Sequence, residues 1–170
     1  MRKPAAAVGS TVFFLVAPCT VAGLIPWLLT RWESVGFPAW WWALRAVGIA
    51  FVLVGAVVVI DSFVRFVREG AGTPVPAAPP EHLVVGGWYR FVRNPMYVAL
   101  LLAMAGQTLI FGHWGMLIYT VAMWVPPAAF VKWYEEPKLE SLFGEEFRRY
   151  RRAVPAWIPR LRPWNAPHPG

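Results

Sequence analysis

Two short polar stretches of this 170-residue chain carry side chains able to do chemistry. One is His82-Leu83-Val84-Val85-Gly86-Gly87-Trp88-Tyr89-Arg90, continued by Phe91-Val92-Arg93-Asn94-Pro95-Met96-Tyr97. The other is Lys132-Trp133-Tyr134-Glu135-Glu136-Pro137. Carboxylates hold ribose hydroxyls or an α-amino group, and an arginine grips a carboxylate through two parallel hydrogen bonds. Adjacent glycines admit close approach of backbone amides. Aromatic rings cover an adenine or a sulfonium by stacking and cation–π contact. Such a set suits a polar cofactor beside an apolar partner. Each feature also has a plain structural reading. Arg90 and Arg93 can mark a membrane boundary, Glu135-Glu136 can open a helix, and Gly86-Gly87 can be a turn. What favours a site is their convergence at one end of one helical hairpin.

That hairpin follows from the apolar pattern. The chain is 58% hydrophobic and 15% charged, with 11 Trp and a mean hydropathy of +0.47. A soluble domain needs more charge on its surface. The apolar residues fall into runs over 8–29, 40–64, 96–111 and 113–134. About 20 residues cross the ~30 Å hydrocarbon core. Only Gly112 separates the third run from the fourth, which predicts a tight hairpin closing near Gly112 and Gly115. The start of the third span then meets the end of the fourth, and Arg93, Asn94 and Tyr97 come near Glu135 and Glu136. The expected fold is all-α: a polytopic membrane bundle of about four transmembrane helices with a C-terminal amphipathic helix. It forms a single membrane domain, with a helix pair over 1–68 and a Gly/Pro/Ala-rich loop over 69–81. The hairpin and surface helix occupy 82–162, and a loose tail 163–170.

Lysines and arginines set the orientation. Arg2 and Lys3 precede the first run, and Arg31 alone lies between the first and second. Arg65, Arg68, Arg90 and Arg93 lie between the second and third runs, and Lys132, Lys138 and the arginines from Arg148 to Arg162 lie at or after the end of the fourth. Both termini, the middle loop and the site are therefore expected on the cytoplasmic side. The formal charge of +7 is explained by this bias, so no nucleic-acid partner is expected. Arg45 is expected to snorkel to the outer interface, where Trp40, Trp41 and Trp42 anchor. Gly48 and Gly55, with Ala46 and Ala56, give the second span small faces for close packing, which permits a dimer without requiring one. The first run is longer than a signal peptide and contains Pro18 and Pro26, so it reads as a retained helix.

Leu139, Leu142, Phe143, Phe147 and Tyr150 recur at helical spacing, with Glu140, Glu145, Arg148, Arg149 and Arg152 on much of the other face. This predicts an amphipathic helix on the membrane surface or packed back on the spans, with a break possible at Gly144. Asp61 and Arg65 are spaced for an i,i+4 ion pair, with a contribution to the pocket as the alternative. Gln107 reads as a helix–helix hydrogen bond and His113 as structural. His82, His113 and His168 lack metal-ligand spacing, so no metal is expected. Cys19 stands alone, which excludes a disulfide within the chain and reads as a small buried residue. No G-x-G-x-x-G follows a strand, which excludes a soluble dinucleotide-binding domain.

From His82 to Pro159 the chain resembles the isoprenylcysteine carboxyl methyltransferases and their relatives, the phospholipid N-methyltransferases. The pieces are His82-Leu83-Val84, Gly87-Trp88-Tyr89-Arg90, Arg93-Asn94-Pro95-Met96-Tyr97, Glu135-Glu136, Phe143-Gly144-Glu145-Glu146-Phe147, Tyr150 and Val154-Pro155-Ala156-Trp157-Ile158-Pro159. The resemblance implies S-adenosylmethionine as cofactor, S-adenosylhomocysteine as product, and a lipophilic acceptor arriving from the bilayer. It implies that His82, Leu83, Val84, Gly87, Tyr89, Arg93, Asn94, Pro95 and Tyr97 bind the cofactor, with Glu135 and Glu136 on its polar groups. The chain departs from the family pattern at Trp88, where the family often has Pro, and at Asn94, where it often has His. The basic residue preceding the acidic pair is Lys132, where the family often has Arg.

Methyl transfer from a sulfonium is an in-line displacement that demands alignment and dehydration. A carboxylate acceptor needs no base, and Arg93 or Lys132 would orient it. An amine, phenol or thiol must lose a proton, and Glu135 or Glu136 would take it. Two rivals stand beside this reading. One is an NADPH-dependent membrane reductase of the sterol and steroid type, and the other is a non-enzymatic membrane protein.

Overall fold

The computed structural model describes residues 16–70 and 82–165, and among these every regular element is helical. Helix α1 covers Val16–Thr30. Pro26 has no N–H to offer the carbonyl of Ala22, four residues earlier, and α1 widens into a π turn over Thr20–Leu24 just before it. The freed carbonyls are taken from outside. Gln107 Nε2 donates to Ala22 O at 2.7 Å, and Tyr119 Oη donates to Val21 O at 2.9 Å. Gln107 thus acts as the helix–helix tie expected of it.

Helix α2 runs over Trp41–Gly70, beyond the expected end at 64. Helix α3 covers Pro95–Phe111, with Pro95 in the first turn where a missing N–H costs nothing. The two lie against each other on small residues. A Cβ on Gly55 would sit 2.6 Å from the Ala99 carbonyl oxygen, and one on Gly48 2.6 Å from that of Gly106. The two backbones are therefore in direct contact, as the small face of the second run predicts.

Gly112 closes the hairpin in the left-handed conformation, φ 70°, with its N–H on Thr108 O at 2.8 Å. Phe37 covers it so closely that a side chain there would overlap the ring. Helix α4 (Trp114–Ala122) returns, breaks at Met123-Trp124, and resumes as α5 (Val125–Phe130). The break falls where Pro126 and Pro127 withhold two successive N–H donors. A π turn, Val131–Glu135, leads into α6 (Glu136–Ala153), which kinks at Gly144 with φ 51° and ψ −120°. His113 anchors the turn between α3 and α4 structurally, its ring nitrogen 2.9 Å from Glu33 O.

Two helical stretches are long and apolar enough to cross a membrane, Trp41–Phe66 and Trp114–Ala153; Val16–Thr30 and Pro95–Phe111 are shorter. The outward faces carry Leu53, Val57, Ile60, Ile118 and Val121, while Ala99, Ala103 and Met104 are buried. Large apolar residues on the outward faces, with Ala99 and Ala103 at the helix contact, suit a lipid solvent. Helix α6 packs on the loop before α3 and on the segment that follows it. Phe147 and Tyr150, with Val154 just past its end, are buried against Leu83, Val85 and Trp164.

Three expectations are corrected. Arg65 pairs with Glu69 at 2.6 Å, one turn onward, instead of with Asp61. Cys19 is exposed rather than buried among the described residues. The tail expected to be loose from residue 163 is docked through Trp164 and Asn165 on Arg90, and Trp164 packs on Tyr150. The loop 71–81 and residues 166–170 lie outside the described residues.

The backbone contact makes a stability prediction. Gly55→Ala forces α2 from α3 and costs about 1–3 kcal/mol by overpacking. Gly115→Ala, with nothing within 4 Å of the added carbon, leaves stability unchanged or raises it. Thermal midpoints of the two variants in detergent check this, and equal midpoints contradict it.

Candidate functional site

The loop before α3 is held at both edges. Tyr150 Oη donates to the Tyr89 carbonyl at 2.6 Å, and the Arg93 main-chain N–H to Pro155 O at 2.9 Å. Asn94 Nδ2 donates to Ala156 O at 3.1 Å. Arg93 spreads its fork over two partners, with Nε on Val154 O at 2.9 Å and Nη1 on Glu136 Oε1 at 2.5 Å. This ion pair is mostly shielded, with 12% of the Arg93 and 19% of the Glu136 side chain exposed. A planar guanidinium with several fixed donors satisfies such a spread of acceptors, which a lysine cannot do.

Above this base lies a cavity of about 460 Å³. Its polar end is bordered by Tyr89, Arg93, Asn94 and Tyr97 from the loop and the start of α3. Tyr134, Glu135, Glu136 and Lys138 border it from the π turn and α6. Its apolar end runs between α1 and the Pro126-Pro127 break, along Pro18, Val21, Met104 and Met123. The π turn is what lets two consecutive glutamates reach one cavity, because its wider coil turns each residue less about the axis. Such turns recur at functional sites.

Two polar groups at the polar end lack partners among the described residues. The Tyr89 side chain is buried and its hydroxyl makes no hydrogen bond. Burial first, then the neighbouring Tyr150, raises its phenol well above the usual value, so it is a neutral donor. Glu135 borders the cavity with neither hydrogen bond nor ion pair, since Arg93 is committed to Glu136. A buried donor without an acceptor costs about 1–3 kcal/mol. An occupant that accepts from Tyr89 and donates to Glu135 relieves both.

Nine of the expected site residues border this cavity: Leu83, Val84, Tyr89, Arg93, Asn94, Pro95, Tyr97, Glu135 and Glu136. Three do not. His82 is exposed at the loop margin, and Lys132 is exposed on the π turn. Gly87 faces α2 instead. With φ 53° it turns the chain tightly, and a side chain there would overlap Arg65, while Gly86 meets Glu69. The glycine pair therefore lies against the Arg65–Glu69 ion pair. Lys138, Val59 and Phe66 border the cavity and were missed. Val59 and Phe66 are seven apart on the long helix α2, a spacing that marks one face but not its occupant. Among the described residues no cluster of His, Cys, Asp and Glu could hold a metal ion.

Residues 43–146 match the model of the family described as phospholipid methyltransferase. The chain is also 32% identical over 78 residues to the protein-S-isoprenylcysteine O-methyltransferase of Schizosaccharomyces pombe. That match covers 45% of this chain and 33% of the yeast protein, so the chain spans about a third of this relative. The family match takes in more than half of the chain and the polar end of the cavity from Tyr89 to Glu136. The chain belongs to the phospholipid methyltransferase family.

Proposed function

We propose that the chain is an integral membrane methyltransferase that uses S-adenosylmethionine and modifies a lipophilic acceptor. The observation that carries this reading is the two-ended cavity. Its polar end holds an unpaired carboxylate and an orphan hydroxyl, and its apolar end is open in character to a lipid chain. The yeast relative's name speaks of methyl transfer to a lipid-modified cysteine, which agrees with a polar donor beside an apolar acceptor.

The donor set fits the cofactor. Glu135 supplies a carboxylate for a cationic or hydroxyl-bearing group, Tyr89 a neutral O–H, and Tyr97 an aromatic face. S-adenosylmethionine supplies an electrophilic methyl group on a sulfonium and leaves as S-adenosylhomocysteine. The protein's work is alignment and exclusion of water. Arg93 holds Glu136 and the 154–156 backbone in place, so its charge is spent inside the protein rather than on an acceptor carboxylate. Lys132 stands away from the cavity, and Lys138 takes its place as the cation at the rim. Glu135 is the group able to accept a proton from an amine, thiol or phenol, whereas a carboxylate acceptor requires no base. Both termini and the site are assigned to the cytoplasmic face, with α1 and α3 completing four spans. At ~1.5 Å per residue the 17 residues of α3 rise about 25 Å, close to the hydrocarbon thickness.

Binding of labelled S-adenosylmethionine to the detergent-solubilised chain tests this. Glu135→Gln is expected to weaken binding roughly tenfold or more, the scale of one charge-assisted hydrogen bond. Tyr89→Phe weakens it less, and Lys132→Ala leaves it unchanged. A clear preference for NADPH, or wild-type binding in Glu135→Gln, contradicts the reading. For the topology, reporters fused at the two ends are expected to respond on the same side of the membrane, the cytoplasmic one. Reporters on opposite sides contradict four spans.

A further inference from the structure

The segment after α6 makes more main-chain contacts with the site loop than any side chain does. Pro155 O receives the Arg93 N–H, Phe91 O receives the Arg160 N–H, and Arg90 O receives the Trp164 N–H, each at 2.9 Å. The partners descend from 93 to 90 as the segment ascends from 155 to 164, so the two run antiparallel without forming a sheet. The far end is closed by a reciprocal pair. Arg90 Nε returns a hydrogen bond to Trp164 O at 2.9 Å, and Arg90 Nη2 donates to Asn165 Oδ1. The Trp164 ring lies on Tyr150, centroids 5.4 Å apart, and Tyr150 in turn holds the Tyr89 carbonyl. The family match ends at residue 146, so this strap lies outside it.

We infer that Arg90 and Trp164 are positioning residues, which latch the strap so that Tyr89, Arg93 and Asn94 keep the geometry needed to bind the methyl donor. Neither Arg90 nor Trp164 borders the cavity. Their effect passes through Tyr150 to Tyr89 and through the strap to Arg93. The loop carries Tyr89, Arg93 and Asn94 to the cavity with only one short 3-10 turn, Gly87–Arg90, among its described residues, so it is held only as well as its braces hold it. Misplacing such groups by about 1 Å is enough to lose a large factor in binding or rate. Arg90 thus has a task different from Arg93, although both lie in one short motif. The inference rests on the methyl-donor reading above.

Three variants of the full chain in detergent test it, each measured for labelled S-adenosylmethionine binding and for thermal midpoint. Trp164→Ala is expected to weaken binding roughly tenfold while the midpoint stays near that of the wild type. Trp164→Phe keeps a ring on Tyr150 and the main-chain pair with Arg90, and is expected to restore binding. Arg90→Lys keeps the charge but loses the fork, and weakens binding. Added to Trp164→Ala it produces no further loss, because both act on one latch. Wild-type affinity in Trp164→Ala overturns the inference, as does an affinity loss that Trp164→Phe shares in full or that follows a fallen midpoint. If the wild type itself does not bind, the methyl-donor reading fails instead.

Discussion

The Arg93 guanidinium is the interaction on which the proposed site depends. It joins three parts of the chain that are distant in sequence: the loop before α3, Glu136 at the start of α6, and the Val154 carbonyl beyond its end. Taking an arginine and a carboxylate out of water costs several kcal/mol each, and only good geometry with further hydrogen bonds offsets this. Here the fork supplies that geometry. Its consequence is an asymmetry between neighbours: Glu136 is neutralised by Arg93, and Glu135 is left unpaired at the cavity. One ion pair thereby creates both a fixed wall and a free carboxylate.

This arrangement needs two rigid supports, and each has a local cause. Helices α2 and α3 approach to backbone contact because Gly48, Gly55 and Gly106 carry no side chain. That contact brings Val59 and Phe66 to the cavity and Arg65–Glu69 beneath the glycine turn. The second support is the long rod from Trp114 to Ala153. It is interrupted at Pro126-Pro127, by the π turn at 131–135 and at Gly144. The first two interruptions border the cavity, one at its apolar end and one at its polar end. A straight helix would present neither the apolar opening nor the adjacent glutamates. Irregular backbone at these points is thus tied to the shape of the cavity.

The helices and the meeting of the two polar stretches were legible in the sequence because they follow from long apolar runs and one short turn. Gly112 is a single residue between two runs, and only an antiparallel hairpin fits it. The residues that border the cavity from that hairpin, from Tyr89 to Tyr97 and at Glu135-Glu136, follow from the same geometry. Less legible was which cations are spent inside the protein. Arg65 found Glu69 rather than Asp61, both four residues away, and the choice was made by Gly86-Gly87 packing on that side. Lys132 and Lys138 are six apart, and Lys132 lies on the π turn away from the cavity while Lys138, in the first turn of α6, borders it. Residues 154–159 stood out only as a motif, and their docking on the loop was not legible, because much of it runs through backbone carbonyls and N–H groups that any sequence carries. Trp164 looked like part of a loose tail since its partner, Arg90, lies 74 residues earlier.

The central claim is that a methyl donor binds at the polar end of this one cavity. Photo-crosslinking of methyl-labelled S-adenosylmethionine to the full chain in detergent, followed by peptide mapping, tests it most directly. Label is expected in the peptides that carry Tyr89 to Tyr97 and Tyr134 to Lys138, and is expected to be lost with excess unlabelled S-adenosylhomocysteine. Label confined to other parts of the chain, or label that S-adenosylhomocysteine does not displace, contradicts it.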